Sequence, residues 1–340
     1  MQPGFFDLDD RYQLLEKLGD PLPKLNAVAD WEGFRPILQR VREKERKSNA
    51  GRKGYDVVLM FKVLVLQHFY NLADEQVEYQ IRDRYSFCRF LGLTPEGKVP
   101  DARTVWLFRE HLKELDLMDE LFAELMAQIE AAGFIPKQGQ IVDASIVAAP
   151  RQRNSREENE AIRRGEVPEG WKDKPAMLRQ KDVEARWTKK HGKSYYGYKN
   201  HISIDRKHKL VRHFEVTDAA THDSQVFDVL LDDTNTSGDI WADSAYRSAE
   251  REIHLREPGH RSHIQTKGTS QKPLTGRQKA ANRRRAQVRA RVEHVFGAQA
   301  AMGGKLVRTI GLARARVKIA MTNMTYNLRR WAWLEATGAA

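Results

Sequence analysis

Apolar residues crowd every side of the stretch Val57, Val58, Met60, Phe61, Val63, Leu64, Leu66 and Phe69. That pattern predicts a buried helix over Asp56 to Leu72, with the Asp56 carboxylate as its N-cap. A second helix is expected over Asp74 to about Arg84, after which Phe87, Phe90 and Leu91 pack down before Gly92. Pro95, Gly97 and Pro100 mark a loop, and Asp101 caps a third helix running through Thr104, Leu107, Phe108 and Leu112. A fourth, Met118 to Ala132, stops at Gly133. The second and third of these, with Arg103 and Arg109 on the exposed side, resemble a helix-turn-helix. Ahead of them, Arg40, Arg42, Lys44, Arg46 and Lys47 alternate with Glu43 and Glu45 as a solvated helix face, and Ser48 to Gly54 reads as a loop.

After Pro136 the pattern changes from helix to strand. Gln140 to Ala149 is β-branched and apolar, the mark of a buried strand. Residues 150–194 are polar almost throughout, which predicts an excursion without a core, partly helical from Pro175 to Arg186. Tyr195 to Ile204, a turn at Asp205 to Lys209, and Leu210 to Val216 make an antiparallel pair. Thr221-His-Asp-Ser224 then starts a helix, followed by a short strand from Asp239 to Asp243, a helix from Ala249 to Leu255 and a strand from His263 to Gln265. A long basic helix from Gly276 to Ala300 and a last helix from Arg314 to Leu334 complete the order. It predicts an α/β domain over residues 136–340, a mixed sheet with helices on both faces, preceded by an all-α N-terminal domain over residues 1–135.

Charge sharpens this division. The net charge of +12 over 340 residues is uneven: residues 1–135 carry 19 Lys and Arg against 23 Asp and Glu, whereas residues 136–340 carry 39 against 23. An excess held in one half points to a polyanion partner, nucleic acid first. No apolar run is long enough to cross a bilayer, and the N-terminus lacks the basic-then-apolar layout of a signal peptide. Cys88 is the single cysteine, which excludes an intrachain disulfide framework and a cysteine-based zinc site. These features fit a cytoplasmic protein with no membrane partner and no disulfide-linked partner.

Three carboxylates then stand out. Asp143 lies in an otherwise apolar strand, where a buried carboxylate either shifts its pKa or finds a cation. Its alternatives are a metal ion or one of the many arginines. Asp243 ends a short apolar strand, a place where sheets present ligands, or it simply starts the turn at Ser244. Glu293 follows 35 residues, 258–292, that hold ten Lys or Arg and no acid. Its alternative is an ion pair with Arg289, one helical turn earlier. As a set, the three suit two hard divalent ions about 4 Å apart, an arrangement that drives phosphodiester chemistry.

The chain resembles the DDE transposases of bacterial insertion sequences, of the insertion-sequence-5 group. The likeness runs from about Gly51 to Trp331. Its first part is Pro100-Asp-Ala-Arg-Thr104 with Phe108-Arg109, Ile141-Val-Asp-Ala-Ser145, Ala185-Arg-Trp-Thr-Lys-Lys190 and Tyr196-Gly-Tyr-Lys-Asn-His201. Thr221-His-Asp-Ser224, Ala242-Asp-Ser-Ala-Tyr246 and Arg289-Ala-Arg-Val-Glu-His294 follow in order. The resemblance implies an RNase H-like catalytic domain with Asp143, Asp243 and Glu293 as a metal-binding triad for two Mg²⁺ ions, with Mn²⁺ able to substitute. It implies cleavage at the terminal inverted repeats, joining of the 3′-hydroxyl to target DNA, and a homodimer on double-stranded DNA at the bacterial nucleoid. The family signature also places an Arg four positions before the Glu and a Lys seven after it. Arg289 fits, but position 300 is Ala, and so is position 286, where some relatives carry Tyr. Lys305 and Arg308 are the candidates to supply the missing charge.

Further candidate DNA contacts are Lys199 and His201 on the second strand and Tyr246 after the second acid, with packing as the alternative for Tyr246. Arg186, Trp187, Lys189 and Lys190 combine cations with an aromatic, as a surface that stacks a single strand does, or else form a solvated loop. His222 and Asp223 read as caps of the following helix, and the histidines show no zinc spacing. Two rival functions use the same residues: a nuclease of this fold that does not join DNA, and a DNA-binding regulator whose catalytic domain is silent.

Overall fold

The computed structural model describes residues 7–43, 54–190, 192–256 and 259–338, so the charged run and loop expected over residues 44–53 lie outside the described residues. The chain divides into two compact units, Met1–Gly133 with Met324–Ala340, and Phe134–Asn323.

The first unit is helical. Helices α1 (Asp7–Lys17), α2 (Leu22–Val28) and α3 (Arg35–Gln39) precede α4 (Val57–Phe69), whose residues are buried almost all round. Asp56 caps α4 by accepting the Val58 and Leu59 amides at 2.9 and 3.1 Å, an interaction that stabilises by about 1 kcal/mol. Helices α5 (Asp74–Asp83), α6 (Tyr85–Leu91), α7 (Ala102–Glu114) and α8 (Met118–Ala131) follow. Asp101 caps α7 through the Thr104 amide at 2.7 Å, and Gly133, at φ +92°, ends α8 in the left-handed region that glycine adopts freely. The packing of α4 is aromatic: its Phe61 meets Trp31 edge-on with ring centroids 6.3 Å apart and Phe34 at 5.0 Å. No single helix among the described residues is long and apolar enough to cross a membrane.

The second unit is built on a six-stranded mixed sheet. Its strands are β1 (Gln140–Ala148), β2 (Arg186–Lys190), β3 (Lys193–Asp205), β4 (Val211–Asp218), β5 (Asp239–Trp241) and β6 (Arg261–Ser262), in the order β2-β3-β1-β5-β6 with β4 on β3. One edge of β3 pairs antiparallel with the whole of β1, and its other edge is shared between β2 and β4. Gly197 sits where β1, β2 and β3 meet; a Cβ there would lie 2.3 Å from the Val147 carbonyl oxygen, so only glycine allows this approach. The strands alternate between two cores. Val142 faces Phe227, Leu230, Ile240 and Tyr246, whereas Val147 faces Tyr196, Tyr198, Val307 and Ile319.

Several elements differ from the sequence-based expectation. The polar stretch 150–194 folds into α9 (Arg156–Arg163), α10 (Glu169–Lys172), α11 (Pro175–Leu178) and strand β2. It has a small core of its own, because Trp171 is buried and its indole N–H donates to Glu158 at 2.7 Å. The segment after Thr221 forms two 3₁₀ turns, Asp223–Val226 and Asp228–Leu230, rather than one α-helix. Helix α12 (Ala249–His254) forms as expected. The last paired strand is β6, just ahead of the expected His263 to Gln265, although the His263 and Gln265 amides still bond the Ile240 and Ala242 carbonyls at 2.8 and 3.2 Å. The long basic helix is two helices, α13 (Gly276–Arg289) and α14 (Arg291–Ala301), broken at Ala290. Helix α15 (Leu312–Thr337) closes the chain; its residues from Met324 onward group with the helical unit, and its earlier residues with the sheet.

Candidate active site

Parallel pairing of β1 and β5 sets Ile141 beside Trp241. Asp143 stands two residues further along β1 and Asp243 two residues beyond Trp241, just past the end of β5, so both follow the paired residues in the same direction. Asp143 is 6% exposed. Burial pushes its pKa up to about 6, the Asp243 charge adds to the rise, and Arg289 and the Ala144 amide oppose it. The Ala144 N–H donates to Asp143 Oδ1 at 2.8 Å. Asp243 is half-buried and caps the 3₁₀ turn Ser244–Tyr246, its Oδ1 accepting the Ala245 amide at 2.7 Å. The turn-starting role therefore holds, and it fixes the carboxylate at the strand end.

The break at Ala290 decides what α13 and α14 present. It puts Glu293 in the exposed first turn of α14, where a carboxylate is favoured by the helix dipole. It also turns the last residue of α13, Arg289, toward the sheet, and its guanidinium forms an ion pair with Asp143 Oδ2. The pairing expected as an alternative, between Arg289 and Glu293, is replaced by one across the fold.

A segment after α14 completes the neighbourhood. The Ala148 amide donates to the Lys305 carbonyl and the Val307 amide to the Ala148 carbonyl, both at 2.9 Å, so residues 305–307 extend the sheet beside the end of β1. This delivers the Lys305 ammonium to the Ser145 hydroxyl, on the same face of β1 as Asp143, and to 4.9 Å from the Phe296 ring. Burial lowers the Lys305 pKa, the Glu293 charge opposes that, Lys190 adds to it, and Asp143 opposes it. One lysine thus lies within electrostatic reach of two of the three acids. Arg308 is exposed.

Other predicted contacts scatter. Lys190 reaches Asp143 electrostatically, and Lys189 is exposed. Trp187 is exposed, packs against Tyr196 at 5.2 Å, and carries the Arg151 guanidinium over its ring. Arg186 instead turns back to donate to the Val183 carbonyl at 2.6 Å. Lys199 and His201 point to the opposite face of β3 from the one Asp143 shares, because Asp143 pairs with Ile202 and side chains alternate. Lys199 is held there by Asp223 at 2.8 Å and the Thr221 carbonyl at 2.7 Å. Tyr246 is fully buried against Phe227, which corrects the expectation of a DNA contact and favours the packing role. In the helical unit Arg103 is exposed, but Arg109 is not on the exposed side. Its guanidinium makes a two-pronged pair with Asp74 at 2.8 Å and also donates to Gln67, which holds α7 to α5.

Residues 135–328 match the family model described as "Transposase DDE domain", and residues 9–111 match that of a "Transposase domain (DUF772)". The chain belongs to the DDE transposase family. A solved structure, the "Cryo-EM structure of piggyBac transposase synaptic complex with hairpin DNA (SNHP)", is similar at a TM-score of 0.47 and 11% identity, covering 94% of this chain and 76% of that one.

In this DDE transposase the acids offer the oxygen donors that divalent ions take. Among the described residues, however, no three His, Cys, Asp or Glu side chains are gathered closely enough to hold a metal ion. The donor chemistry fits, and in this conformation the charge of Asp143 is answered by Arg289. Sequence reasoning passed over two contributors. Ser145 was legible as the residue two places after Asp143 on one strand face. The buried amides Asn200, Gln299 and Asn323, which join β3, α14 and α15, carried no signal, since each lies in a separate element.

Proposed function

We propose that this protein is the transposase of a bacterial insertion sequence, of the insertion-sequence-5 group. It binds the terminal inverted repeats, cuts the DNA at the element's ends and joins the freed 3′-hydroxyl to target DNA. Asp143, Asp243 and Glu293 are the catalytic carboxylates of an RNase H-like domain. What supports this reading is the parallel pairing of β1 and β5, beyond which Asp143 and Asp243 follow in the same direction, with Arg289 paired to Asp143 and Lys305 bonded to Ser145 on the same strand. Family membership supports the reaction class.

Two Mg²⁺ ions, with Mn²⁺ able to substitute, would be held by these three carboxylates. Bound there, such ions activate the attacking oxygen and stabilise the leaving one in phosphodiester transfer. The rest falls to the chain's own groups. Asp143, with a pKa of about 6, is mostly ionised at neutral pH, and Arg289, now paired with it, is placed to hold a DNA phosphate beside it. Lys305 supplies the positive charge that position 300 lacks, and Lys189, Lys190 and Trp187 line the approach. The ten cations of residues 258–292 hold the backbone, so end binding weakens steeply with salt. Arg103 on α7 contributes to recognition of the ends. Two ends must be processed together, which calls for a homodimer on DNA.

The test is to incubate the protein with its flanking genomic repeats and Mg²⁺ and to sequence the products. Cut and joined ends support the reading. Cutting without joining identifies a nuclease, and binding without cutting identifies a regulator.

A further inference from the structure

Strand pairing alone does not place Asp243. The ladder between β1 and β5 covers two residue pairs, Gln140 with Ile240 and Ile141 with Trp241, and β5 ends two residues short of the acid. On the other side of β5 the Gln265 amide bonds the Ala242 carbonyl at 3.2 Å, again short of it. The carboxylate itself is tied to the turn Ser244–Tyr246 through the Ala245 amide. Where that turn sits therefore decides where Asp243 sits.

Arg251 of α12 grips the turn. Its Nη1 donates to the Tyr246 carbonyl at 2.8 Å and its Nη2 to the Ser224 carbonyl at 2.7 Å, so one planar group joins two segments. The guanidinium also lies over the Phe227 ring, 4.8 Å from its centroid. Asp228 stands 3.9 Å from Nε, beyond hydrogen-bond distance, so the two carbonyls set the orientation. The Ser224 segment is in turn fixed to the sheet. Lys199 of β3 donates to the Thr221 carbonyl and to Asp223 at 2.7 and 2.8 Å, and Lys199 pairs with Ile146 on β1, the strand that carries Asp143. A continuous run of contacts thus leads from the strand of one acid to the turn of the other. Phe227 and Tyr246 pack with Val142, on the face of β1 opposite to Asp143, so Arg251 works from behind the acids. We infer that Arg251 is a positioning residue: without touching substrate, it holds the turn that sets Asp243 relative to Asp143. This rests on the reading of Asp143, Asp243 and Glu293 as the catalytic acids and deepens it.

Two variants test it. Arg251→Met keeps the stem over Phe227 and removes both carbonyl bonds, whereas Arg251→Lys keeps the charge but replaces two separate N–H arms by one ammonium. End binding is measured by fluorescence anisotropy without divalent ions. Mn²⁺ bound by the complex with a pre-cut end is read from the EPR signal of the free ion, with DNA alone subtracted. Both variants are expected to bind ends as the unaltered protein does and to need about 10- to 100-fold more Mn²⁺ for half-saturation. The Mn²⁺ concentration for half-maximal strand transfer rises in step. A role confined to stability lowers Tm and the yield of joined product at every Mn²⁺ concentration, and leaves half-saturation where it was. That result overturns the inference. Should the methionine variant not fold, the lysine variant decides by the same comparison. An unaltered protein that neither binds Mn²⁺ nor joins ends overturns the catalytic reading itself, and the inference with it.

Discussion

Arg289 reaches across the fold to Asp143 rather than along the chain to Glu293. A basic residue therefore sits on the most buried of the three acids, and it competes with any other cation for that carboxylate's oxygens. Burial still wins over this partner, since the Asp143 pKa lies well above the ordinary carboxylate value.

That balance makes Asp143 costly to the fold. Between pH 3.8, the ordinary value, and about 6, the folded state keeps a proton that the unfolded chain has lost, so stability falls as pH rises through this window. The full loss above it is about 3 kcal/mol. Asp143→Asn is expected to raise Tm at pH 7.5 and to leave it nearly unchanged at pH 4, by calorimetry. A lower Tm for the variant at pH 7.5 would show that the ion pair outweighs burial.

His201 gives the opposite slope. It is fully buried, with its pKa pushed down to about 4 by burial, so below the ordinary 6.5 the unfolded chain takes up a proton that the folded state refuses. Stability contributed by His201 is present above 6.5 and lost as pH falls toward 4. His201→Gln should flatten the acid side of the stability profile by about 3 kcal/mol. An NMR titration that finds His201 protonated at pH 6 would contradict this.

Lys305 and Arg308 separate cleanly. Lys305→Ala removes a charged contact to Ser145 beside the acids and should slow strand transfer by about 10- to 100-fold. Arg308→Ala, at a position as exposed as Lys305 but without that contact to Ser145, should change strand transfer less than about twofold. Equal effects in a pre-cut-end assay would remove Lys305 from its assigned role.

The buried amides hold the helix that carries Glu293. Asn323 Oδ1 accepts from Asn200 at 2.9 Å and from Gln299 at 2.8 Å, so Asn323→Leu strands two donors and should cost about 3 kcal/mol in urea denaturation. A loss under 1 kcal/mol would mean that the network is not a structural tie.

Much of this was legible in the sequence, for identifiable reasons. Helix α4 declares itself through its apolar surface and Asp56, and β1 through its β-branched run, because burial on all sides leaves a compositional mark. The acids were legible because each interrupts a pattern. The break at Ala290 was not, since alanine favours helix and only the packing of Arg289 against the sheet turns the chain there. Strand β2 was hidden by its charges: Arg186 to Lys190 contribute backbone pairing to β3 and little apolar surface. Arg109 looked exposed by spacing alone, and its partner Asp74 lies 35 residues away.

The central claim is that Asp143, Asp243 and Glu293 act together in joining DNA ends. The most direct measurement is strand transfer of pre-cut terminal-repeat ends into plasmid with Mg²⁺, comparing the unaltered protein with Asp143→Asn, Asp243→Asn and Glu293→Gln, each checked for end binding. Joined product from the unaltered protein alone, with end binding kept in all three variants, is the expected result. Joined product from any one of the variants at the unaltered level would contradict the account.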